Sequence, residues 1–353
     1  MTSPQGHTAL HGAILRLAHH QPISATDAAE AFGVIMRGEA SALQVAAILT
    51  GLRVRGETAE IVAGVVRAMR EVMVRLPVSA ADELVDTCGT GGGAVPTFNI
   101  STAAALLAAG AGVRIAKHGN RSFTSRCGSA DVLEALGIAI DAPLATMSAS
   151  LERAGIVFMY APVMHPAMRY VGPVRRELAI PTVMNLVGPL ANPAGAERQV
   201  VGVADAYRVP ILAGALAELG ARHAMVVHGE PGLDEISPLG TTQVIEIRGG
   251  ISTEWTIDPF AHGLGETKAS ALAGGTPEEN ARIITEVLEG GGGGSAGARA
   301  AVVLNAAAAI YVSGRVATYA EAVEAARAAL SEGLGLIALD RLRSAYNTQG
   351  PAT

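Results

Sequence analysis

A glycine-rich segment is the first part of the chain with residues suited to chemistry. Residues 86–102 read DTCGTGGGAVPTFNIST, with four glycines between a β-rich stretch and a helix-forming one. Glycines let the backbone approach a phosphate, and the N–H groups of a helix start can bind an anion. Further donors are Thr97, Asn99, Ser101 and Thr102. A plain turn capped by Ser101 or Thr102 has the same composition, so both interpretations stay open.

The second segment, residues 117–137, also follows a β-rich stretch and leads into a helix that Ser129 or Asp131 could cap. Lys117 supplies a compact positive charge for a phosphate, and Asn120 supplies a donor and an acceptor. The further hydroxyl donors are Ser122, Thr124, Ser125 and Ser129. Loops at the carboxyl ends of parallel strands meet in one crevice, so the two segments together predict an anion site.

Three other residues of the second segment have simpler interpretations. His118 and Arg121, taken singly, could be solvated loop residues. Cys127 is interpreted as a packing residue, because no His or Asp partner that would activate a nucleophile is evident.

The third segment contains Asp234 and Glu235, shortly after a β-rich stretch that ends at His228. Mg²⁺ in enzymes is held by one or two carboxylates together with substrate phosphates and water. An isolated Asp-Glu pair is most often a solvated turn. Beside a phosphate-binding crevice, the pair predicts a magnesium site.

The fourth segment, residues 165–193, contains Arg175 and Arg176 within HPAMRYVGPVRRELAIPTVMNLVGPLANP. An arginine turned into an apolar cleft would bind a carboxylate through two parallel hydrogen bonds. The residues that could line a flat apolar slot beside it are Pro166, Ala167, Met168 and Gly188. The alternative is an exposed helix face on which the arginines form local ion pairs.

The segments that must position these residues alternate between predicted strands and predicted helices. Residues 84–87 and 113–117 are typical of strands, and residues 102–111 between them of a helix. Strands over 199–203 and 224–228 are apolar enough to be buried on both faces of a parallel sheet. Residues 244–247 and 251–257 alternate around Gly249-Gly250, which predicts a hairpin. We therefore expect a mostly parallel sheet with one antiparallel hairpin.

The N-terminal part has a different pattern. Apolar residues recur at helical spacing, and the clearest helix begins after Thr58, which can cap it. Earlier helices are expected after Thr26 and Ser41, with Gly38 and Gly51 as breaks. The segment PVSAAD, which begins at Pro77, predicts a boundary between a helical domain over 1–76 and an α/β domain over 77–353. In the latter, we expect a helix over 277–288 and a flexible surface loop at the glycine run 290–294.

Composition excludes several classes of protein. Of the 353 residues, 50% are hydrophobic, 3% aromatic and 16% charged, which argues against a disordered or collagen-like chain. The formal net charge of −6 argues against nucleic acid as a partner. Cys88 and Cys127 predict reduced thiols in the cytoplasm. We expect neither a secretory signal nor a membrane segment, because no apolar stretch reaches the ~18 residues that span a bilayer.

The four segments, in this order, resemble the anthranilate phosphoribosyltransferase family. The motifs that carry the resemblance are GTGG with TFNIST, KHGNRS with GSADVLEALG, and HPAM with VRRE and NLVGPLANP. The similarity extends from IMRGEASALQVAAILTGLRVRGET, residues 35–58, to LNAAAAIYVSG, residues 304–314. The resemblance implies a fold similar to that of class II nucleoside phosphorylases, with a small helical domain and a larger α/β domain.

The resemblance also implies an activity and its residues. Phosphoribosyl would pass from 5-phosphoribosyl 1-pyrophosphate to the amine of anthranilate, with Mg²⁺ held by Ser101, Asp234 and Glu235. Anthranilate would contact Gly89, Asn120, His165 and Arg175. The donor would contact Gly89, Gly92, Gly93, Thr97, Asn99, Ile100, Ser101, Thr102, Lys117, His118, Gly119, Asn120, Arg121, Ser122, Phe123, Thr124, Ser125 and Ser129. The family usually forms homodimers through its helical domains, to which residues of about 165–190 would contribute here.

No general base is demanded by this chemistry, because an aromatic amine is neutral near pH 7. His165 is a candidate for accepting the proton lost after the attack. Two adjacent positions depart from the family. Its motif usually reads GTGGD, whereas this chain has Gly93 in place of the Asp, and it has Ala94 where glycine is common. If the missing Asp organises the donor, its absence weakens donor affinity or shifts the load to Asp234 and Glu235.

Two rival functions leave different signatures. A pyrimidine nucleoside phosphorylase would carry a loop of the SGRGLGHTGGT type after its lysine, whereas this chain has KHGNRSFTSRCGS. A non-catalytic protein that binds nucleic acid would need a basic surface, against which the net charge of −6 and the Asp234-Glu235 pair argue.

Overall fold

The N-terminal unit consists of four helices, and the second, third and fourth begin with a side-chain cap. The computed structural model describes residues 4–122, 126–265 and 267–347. The hydroxyls of Ser24, Ser41 and Thr58 each accept a hydrogen bond from the first turn of the helix that follows, which satisfies amides that have no partner within the helix. The helices are α1 (Pro4–Ala18), α2 (Ala25–Met36), α3 (Ala42–Arg55) and α4 (Ala59–Val72).

A seven-stranded sheet forms the centre of the larger unit. Its strands are β1 (Val85–Gly89), β2 (Ile115–Gly119), β3 (Ile156–Tyr160), β4 (Arg198–Gly202), β5 (His223–Gly229), β6 (Thr242–Arg248) and β7 (Ile251–Ile257). Their spatial order is β3-β2-β1-β4-β5-β6-β7. The first five strands are parallel, and β6 and β7 pair antiparallel. The predicted fold class, a helical unit beside a mostly parallel α/β sheet, is confirmed.

The predicted hairpin is also present. Gly249 and Gly250 join β6 to β7 with φ values of +57° and +81°. Both values lie in the left-handed region that a tight hairpin turn with the right twist requires and that glycine adopts without strain.

The remaining helices cover the two faces of the sheet. They are α5 (Ile100–Gly110), α6 (Ser129–Ala135), α7 (Leu144–Ala154), α8 (Ala161–Met164), α9 (Gly172–Leu178), α10 (Met184–Val187), α11 (Val209–Glu218), α12 (Pro277–Leu288), α13 (Ala296–Ser313), α14 (Tyr319–Ser331) and α15 (Leu334–Asn347). One core contains α5 and α13–α15. The other contains α1–α4 and α11 together with Val171, Val183 and Leu186.

Helix α13 is longer than the apolar stretches from which the absence of a membrane segment was predicted. Its 18 residues are long and apolar enough to cross a bilayer by length and composition alone. However, 83% of them are buried inside the protein, where α13 packs against α5 and α14. This environment is that of a core helix.

Three local expectations differ from the structure. Gly51 does not end a helix but lies within α3, where a Cβ would come within 3.1 Å of Leu17, so a small residue lets α1 pack closely. Strand β2 begins two residues later than expected, because the N–H of Val113 still bonds to Ala108 at the end of α5. The glycine run is organised rather than open, since Arg299 Nη1 donates to the carbonyls of residues 292–294.

The packing of α2 against α4 yields a test with a matched control. A Cβ on Gly64 would lie 2.2 Å from the carbonyl oxygen of Ala25, so Gly64→Ala must push the two helices apart. We expect a loss of about 1–3 kcal/mol in the free energy of unfolding. Gly12→Ala, also in a helix, meets nothing within 4 Å and should gain about 0.5–1 kcal/mol. Urea denaturation of both variants measures the two effects, and equal stabilities would contradict this account.

Candidate active site

Polar residues from three segments meet at the carboxyl ends of β1, β2 and β5. Strand β1 lies where the strand order reverses, with β2 on one side and β4 on the other. Loops that leave such a point turn to opposite faces of the sheet and open a crevice between them. Lys117, on β2, donates to Ser101 Oγ over 3.3 Å, so the first and second segments are in direct contact there.

The acidic pair binds the loop that follows β1. Asp234 Oδ2 accepts the N–H of Gly91 at 2.8 Å, and Glu235 Oε1 accepts the N–H of Ser101 at 3.1 Å. The carboxylate of Glu235 therefore occupies the anion position at the start of α5. Neither Ser101 nor Thr102 is the N-cap, which is Asn99 without a side-chain cap bond. The expectation that the N–H groups of this helix start bind a substrate anion is thus corrected for Ser101, whose N–H is bonded to a protein carboxylate.

Two glycines permit this close approach. A Cβ on Gly89 would lie 2.5 Å from Asp234 Oδ2, and a Cβ on Gly202 would lie 1.7 Å from the carbonyl oxygen of Asp234. Any side chain at these positions would displace the loop that carries Asp234. Gly89, at the end of β1, therefore makes room for the carboxylate of Asp234.

Lys117 is the central charge of the crevice. It is only 3% exposed, and its Nζ donates to the carbonyl oxygen of Thr87 at 2.6 Å as well as to Ser101 Oγ. Burial lowers the pKa of Lys117, and the carboxylates of Asp86 and Glu235 oppose that shift. These partners favour the charged ammonium, which suits the predicted phosphate contact.

The acidic pair lacks sufficient positive charge around it. Burial and the adjacent Asp234 raise the pKa of Glu235, while Lys117 lowers it. Burial likewise raises the pKa of Asp234, against the N–H of Gly91. A cation between the two carboxylates would relieve both shifts. The donor set, two carboxylates and a hydroxyl, contains only hard oxygen ligands.

The loop after β2 is fixed by Asp131. Its Oδ2 accepts the N–H groups of Ser122 and Gly128 at 3.2 and 2.8 Å, and its Oδ1 lies 2.9 Å from Arg121 Nη1. The charge of Arg121 is also paired with Glu134, which favours the local-loop interpretation of this arginine. Ser129 is not the cap of α6 and instead donates to the carbonyl of Asn120. Phe123, Thr124 and Ser125 lie outside the described residues.

Asn99 links the two loops to a residue that the sequence analysis missed. Asn99 Nδ2 donates to the carbonyl of Cys127 at 3.2 Å, and Asn99 Oδ1 accepts from Asn280 Nδ2 at 2.9 Å. Burial raises the pKa of the Cys127 thiol to about 11, so the thiol stays protonated at neutral pH, as the packing interpretation requires. Nothing local marks Asn280, because its role depends on contacts distant in sequence.

Two other predicted donor residues have no visible polar role. Ile100 is buried in the core. The hydroxyl of Thr102 is buried and has no hydrogen-bond partner within the described residues. Gly92 is exposed, and Gly93 is half-buried next to Gly232 and Asp234. Gly119 leaves room for Ser129 Oγ, which would lie 2.2 Å from a Cβ there.

His118 and His165 form a pair of buried imidazoles. Their ring centroids are 4.9 Å apart, and the Nε2 atoms of both are buried without a partner in the described chain. Burial lowers the pKa of His118 to about 3 and that of His165 to about 4, so both are neutral at pH 7. The structure thus places His118 beside a predicted anthranilate residue.

Arg175 stands apart from these contacts. It is half-buried on α9, and burial lowers the pKa of its guanidinium. No ion pair joins it to a carboxylate within residues 4–122, 126–265 and 267–347. Arg176 beside it is exposed. Of the residues predicted to line an apolar slot, Ala167 and Met168 pack with His165 against Met36 and Met69 of the helical unit, whereas Pro166 and Gly188 do not take part in this contact.

The sequence analysis also missed a buried polar pair beneath the crevice. Asn192 Nδ2 donates to Asp86 Oδ2 at 2.7 Å, and Asp86 Oδ1 accepts the N–H of His118 at 3.2 Å. Burial raises the pKa of Asp86 to about 6, against Lys117 and these two donors. An aspartate inside an apolar strand was a signal that could have been used, since an unpaired charge is not left in such a place.

Comparison with known proteins gives two family matches. The model of a glycosyl transferase family α/β domain matches residues 81–336. The model of a glycosyl transferase family helical bundle domain matches residues 12–73.

Individual proteins match over nearly the full length. An anthranilate phosphoribosyltransferase from Rubrobacter xylanophilus is 51% identical, covering 94% of this chain and 96% of that protein. The crystal structure of the Thermus thermophilus anthranilate phosphoribosyltransferase superposes with a TM-score of 0.89 at 40% identity, covering 95% and 99% of the two chains. That of the Saccharomyces cerevisiae enzyme in complex with PRPP and Mg has a TM-score of 0.86 at 29% identity, covering 96% and 98%.

The buried state of His165 makes stability depend on pH. Its pKa is about 4 in the folded chain, against 6.5 as the ordinary value, so between these values the unfolded chain binds a proton that the folded chain does not. Wild type should therefore lose stability relative to His165→Gln as the pH falls through that window, by up to about 1.4 kcal/mol per pH unit. Urea denaturation from pH 7 to pH 4 measures the difference.

A surface histidine controls for general acid effects. His19, exposed just after α1, is replaced in His19→Gln. The stability difference between this variant and wild type should not follow the pH dependence of His165→Gln. Parallel curves for the two variants would mean that the burial of His165 is not the cause.

Proposed function

The chain belongs to the anthranilate phosphoribosyltransferase family of glycosyl transferases, and from that premise we propose how its crevice carries out the reaction. The enzyme transfers the phosphoribosyl group of 5-phosphoribosyl 1-pyrophosphate to the amine of anthranilate and releases pyrophosphate, in the second step of tryptophan biosynthesis from chorismate. The observation that carries the site assignment is the meeting of Lys117, Ser101 and Glu235 at one point of the crevice.

The phosphoribosyl donor lies, in this proposal, across the loops that follow β1 and β2. Lys117 holds a phosphate as a buried point charge, supported by Asn120 and by the hydroxyls of Thr97, Ser122 and Ser129. The backbone around Gly89, Gly92 and Gly93 approaches the donor closely, since no side chain intervenes there. Arg121 contributes mainly by holding its own loop through Asp131 and Glu134.

Ser101, Asp234 and Glu235 are proposed to hold Mg²⁺. They fit the ion because burial raises the pKa of both carboxylates, and Lys117 opposes this rise at Glu235 but not at Asp234. Within the described ranges, no cluster of three His, Cys, Asp or Glu residues forms a site by itself, which agrees with an ion completed by substrate phosphates. When bound, Mg²⁺ supplies positive charge that stabilises the departing pyrophosphate.

Anthranilate is proposed to lie between His165, Asn120, Gly89 and Arg175. Arg175, with no acidic partner in the described chain, is suited to the substrate carboxylate. The aromatic ring would lie against His165, next to the apolar side chains of Ala167 and Met168. His165 is neutral at pH 7, so its ring presents no charge to the incoming aromatic amine.

The mechanism that follows is one of positioning. The anthranilate amine is neutral near pH 7 and attacks ribose C1 without prior deprotonation, as pyrophosphate leaves through a transition state of oxocarbenium character. Lys117 and the loop amides stabilise the developing negative charge, and the protein holds two reactants together in a fixed orientation. The proton lost from nitrogen afterwards can pass to His165, whose Nε2 is unpartnered in the described chain.

Two further features of the chain are proposed on family grounds. The division into 1–76 and 77–353, with residues 165–190 joining the helical domain, agrees with the core that contains Val171 and Val183. A homodimer through the helical domains would cover Leu43 and Val54, which are 83% and 77% exposed. The mass of the protein in solution tests the dimer.

We also propose that the protein acts in the cytoplasm, where free thiols such as those of Cys88 and Cys127 persist.

The reaction is tested by the loss of anthranilate fluorescence on mixing with donor and Mg²⁺. Wild type should consume anthranilate only when donor and metal are both present, and Asp234→Ala should abolish most of this loss. Arg175→Ala should raise the KM for anthranilate about 10- to 100-fold, since a hydrogen bond between charged groups contributes roughly 1.5–3 kcal/mol. Arg176→Ala, one residue further on the same helix and exposed, should leave KM within twofold of wild type.

Two results would contradict the proposal. Equal effects of Arg175→Ala and Arg176→Ala would remove Arg175 from the anthranilate site. Wild-type protein that consumes a pyrimidine nucleoside and inorganic phosphate, but not anthranilate, would favour the nucleoside phosphorylase instead.

The departure at Gly93 can be tested by restoring the family residue. A Cβ on Gly93 would lie 3.3 Å from Asp234 Oδ1, so Gly93→Asp adds a carboxylate beside the proposed metal site. We expect a lower KM for the donor at saturating Mg²⁺, on the order of fivefold for about 1 kcal/mol. Gly93→Asn adds a side chain of the same size without charge. Equal KM values for the two variants would show that the charge has no part in donor binding.

A further inference from the structure

Strands β1 and β2 are paired at only one position. Val85 is in register with Ile115 and the ladder ends there. In contrast, β1 pairs with β4, and β2 with β3, at five positions each. Beyond Val85, the backbone groups of β1 and β2 that face each other must find other partners, because buried N–H and C=O groups are costly to leave unpaired.

The side chains of Asp86 and Asn192 lie in the gap between the two strands and form hydrogen bonds with these backbone groups. Asp86 Oδ1 accepts the N–H of His118 at 3.2 Å. Asn192 Nδ2 bridges Asp86 Oδ2 and the carbonyl oxygen of Ala116, at 2.7 and 2.8 Å. Asn192 is itself fixed, because its Oδ1 accepts the N–H of Ala194 at 2.9 Å.

Lys117, on β2, supplies a hydrogen-bond partner to a backbone group of β1. Its Nζ donates to the carbonyl of Thr87 at 2.6 Å, a group that a regular parallel ladder would have paired with backbone N–H. Asp86, Asn192 and Lys117 thus supply partners to the N–H of His118 and to the carbonyl oxygens of Ala116 and Thr87, which the single-pair ladder leaves unpaired. Asp86 and Asn192 are fully buried, at 0% and 1% exposure, so they do not contact a substrate from solvent.

The gap lies directly beneath the proposed substrate sites. Asp86 holds the backbone of His118, and Asn192 holds that of Ala116, so the two residues fix the chain on both sides of Lys117. A buried carboxylate costs several kcal/mol unless it is paired. Simple closure of the sheet could have satisfied the same backbone groups without this charge.

We propose that Asp86 and Asn192 are positioning residues that hold β1 and β2 apart, and thereby set the places of Lys117 and His118 in the crevice. The proposal rests on the proposed function only in the role of Lys117 as a contact of the phosphoribosyl donor. Neither Asp86 nor Asn192 touches a reacting atom.

The test uses two substitutions and a distant control. Asp86→Asn places an amide where two donors, His118 N–H and Asn192 Nδ2, need acceptors. Asn192→Ala leaves the charge of Asp86 but removes the bridge. Glu246→Gln is the matched control, because Glu246 is also a buried carboxylate, bonded to Tyr311 and Trp255 on the hairpin side of the sheet.

A spectroscopic readout reports on Lys117 directly. The chain has only two lysines, Lys117 and Lys268, so protein labelled with nitrogen-15 lysine gives two side-chain ammonium signals. Both crevice variants should shift the Lys117 signal and leave that of Lys268 unchanged, while Glu246→Gln should shift neither. The kcat/KM for the donor should fall about tenfold or more in both crevice variants, and stay within twofold of wild type in Glu246→Gln.

The possible results are distinguishable. An unchanged Lys117 signal with donor kcat/KM within twofold of wild type, in folded protein, would overturn the proposal. So would a loss of activity in Glu246→Gln equal to that of the crevice variants, since general destabilisation would then explain all three. If Asp86→Asn does not fold, Asn192→Ala decides by the same criteria. If wild type does not consume anthranilate, the proposed function fails, and the Lys117 signal still tests the positioning.

Discussion

The rest of the crevice depends on one buried ammonium and the carboxylates that surround it. Lys117 is 3% exposed, and both Asp86 and Glu235 stabilise its charge. Asp234 adjoins Glu235 and raises the pKa of that residue further. With three carboxylates and one ammonium, the cluster has two negative charges in excess, the charge of one divalent cation. A protein that buries such a set must either keep some of the acids protonated or bind a cation.

Close backbone approach follows from this charge arrangement. The acids reach the loop after β1 only because Gly89 and Gly202 have no side chain, where a Cβ would lie 2.5 Å and 1.7 Å from atoms of Asp234. Glu235 then occupies the start of α5, which a substrate anion would otherwise share. The glycines of this motif therefore make room for the carboxylates of the protein as well as for a substrate phosphate. The positive charge that would bind the phosphate is that of Lys117.

The periodicity of apolar residues predicted most helices and strands. Features that depend on contacts between residues distant in sequence could not be predicted in this way. The hairpin around Gly249 and the helix over 277–288 are encoded locally, so both were predicted. The predicted helix break at Gly51 was wrong, because Gly51 lies inside α3 and its lack of a side chain makes room for Leu17. In the site, residue type identified Lys117 and the acidic pair. Asn192 and Asn280 are instead recognisable through Asp86 and Asn99, which lie 106 and 181 residues away from them in sequence.

Strand geometry explains how one short strand can serve two substrates. Successive side chains of a strand point to opposite faces of its sheet, so Lys117 and His118 must diverge. Lys117 reaches Ser101 at the start of α5, and His118 lies against His165 on the other side, 4.9 Å between ring centroids. The charge of Lys117 therefore lies on the side of the proposed donor site, and the neutral imidazole of His118 lies beside His165, a proposed anthranilate residue. Moving the strand by one residue would turn both side chains to the opposite face of the sheet, which makes the anchoring of β2 by Asp86 and Asn192 a condition for keeping Lys117 beside Ser101.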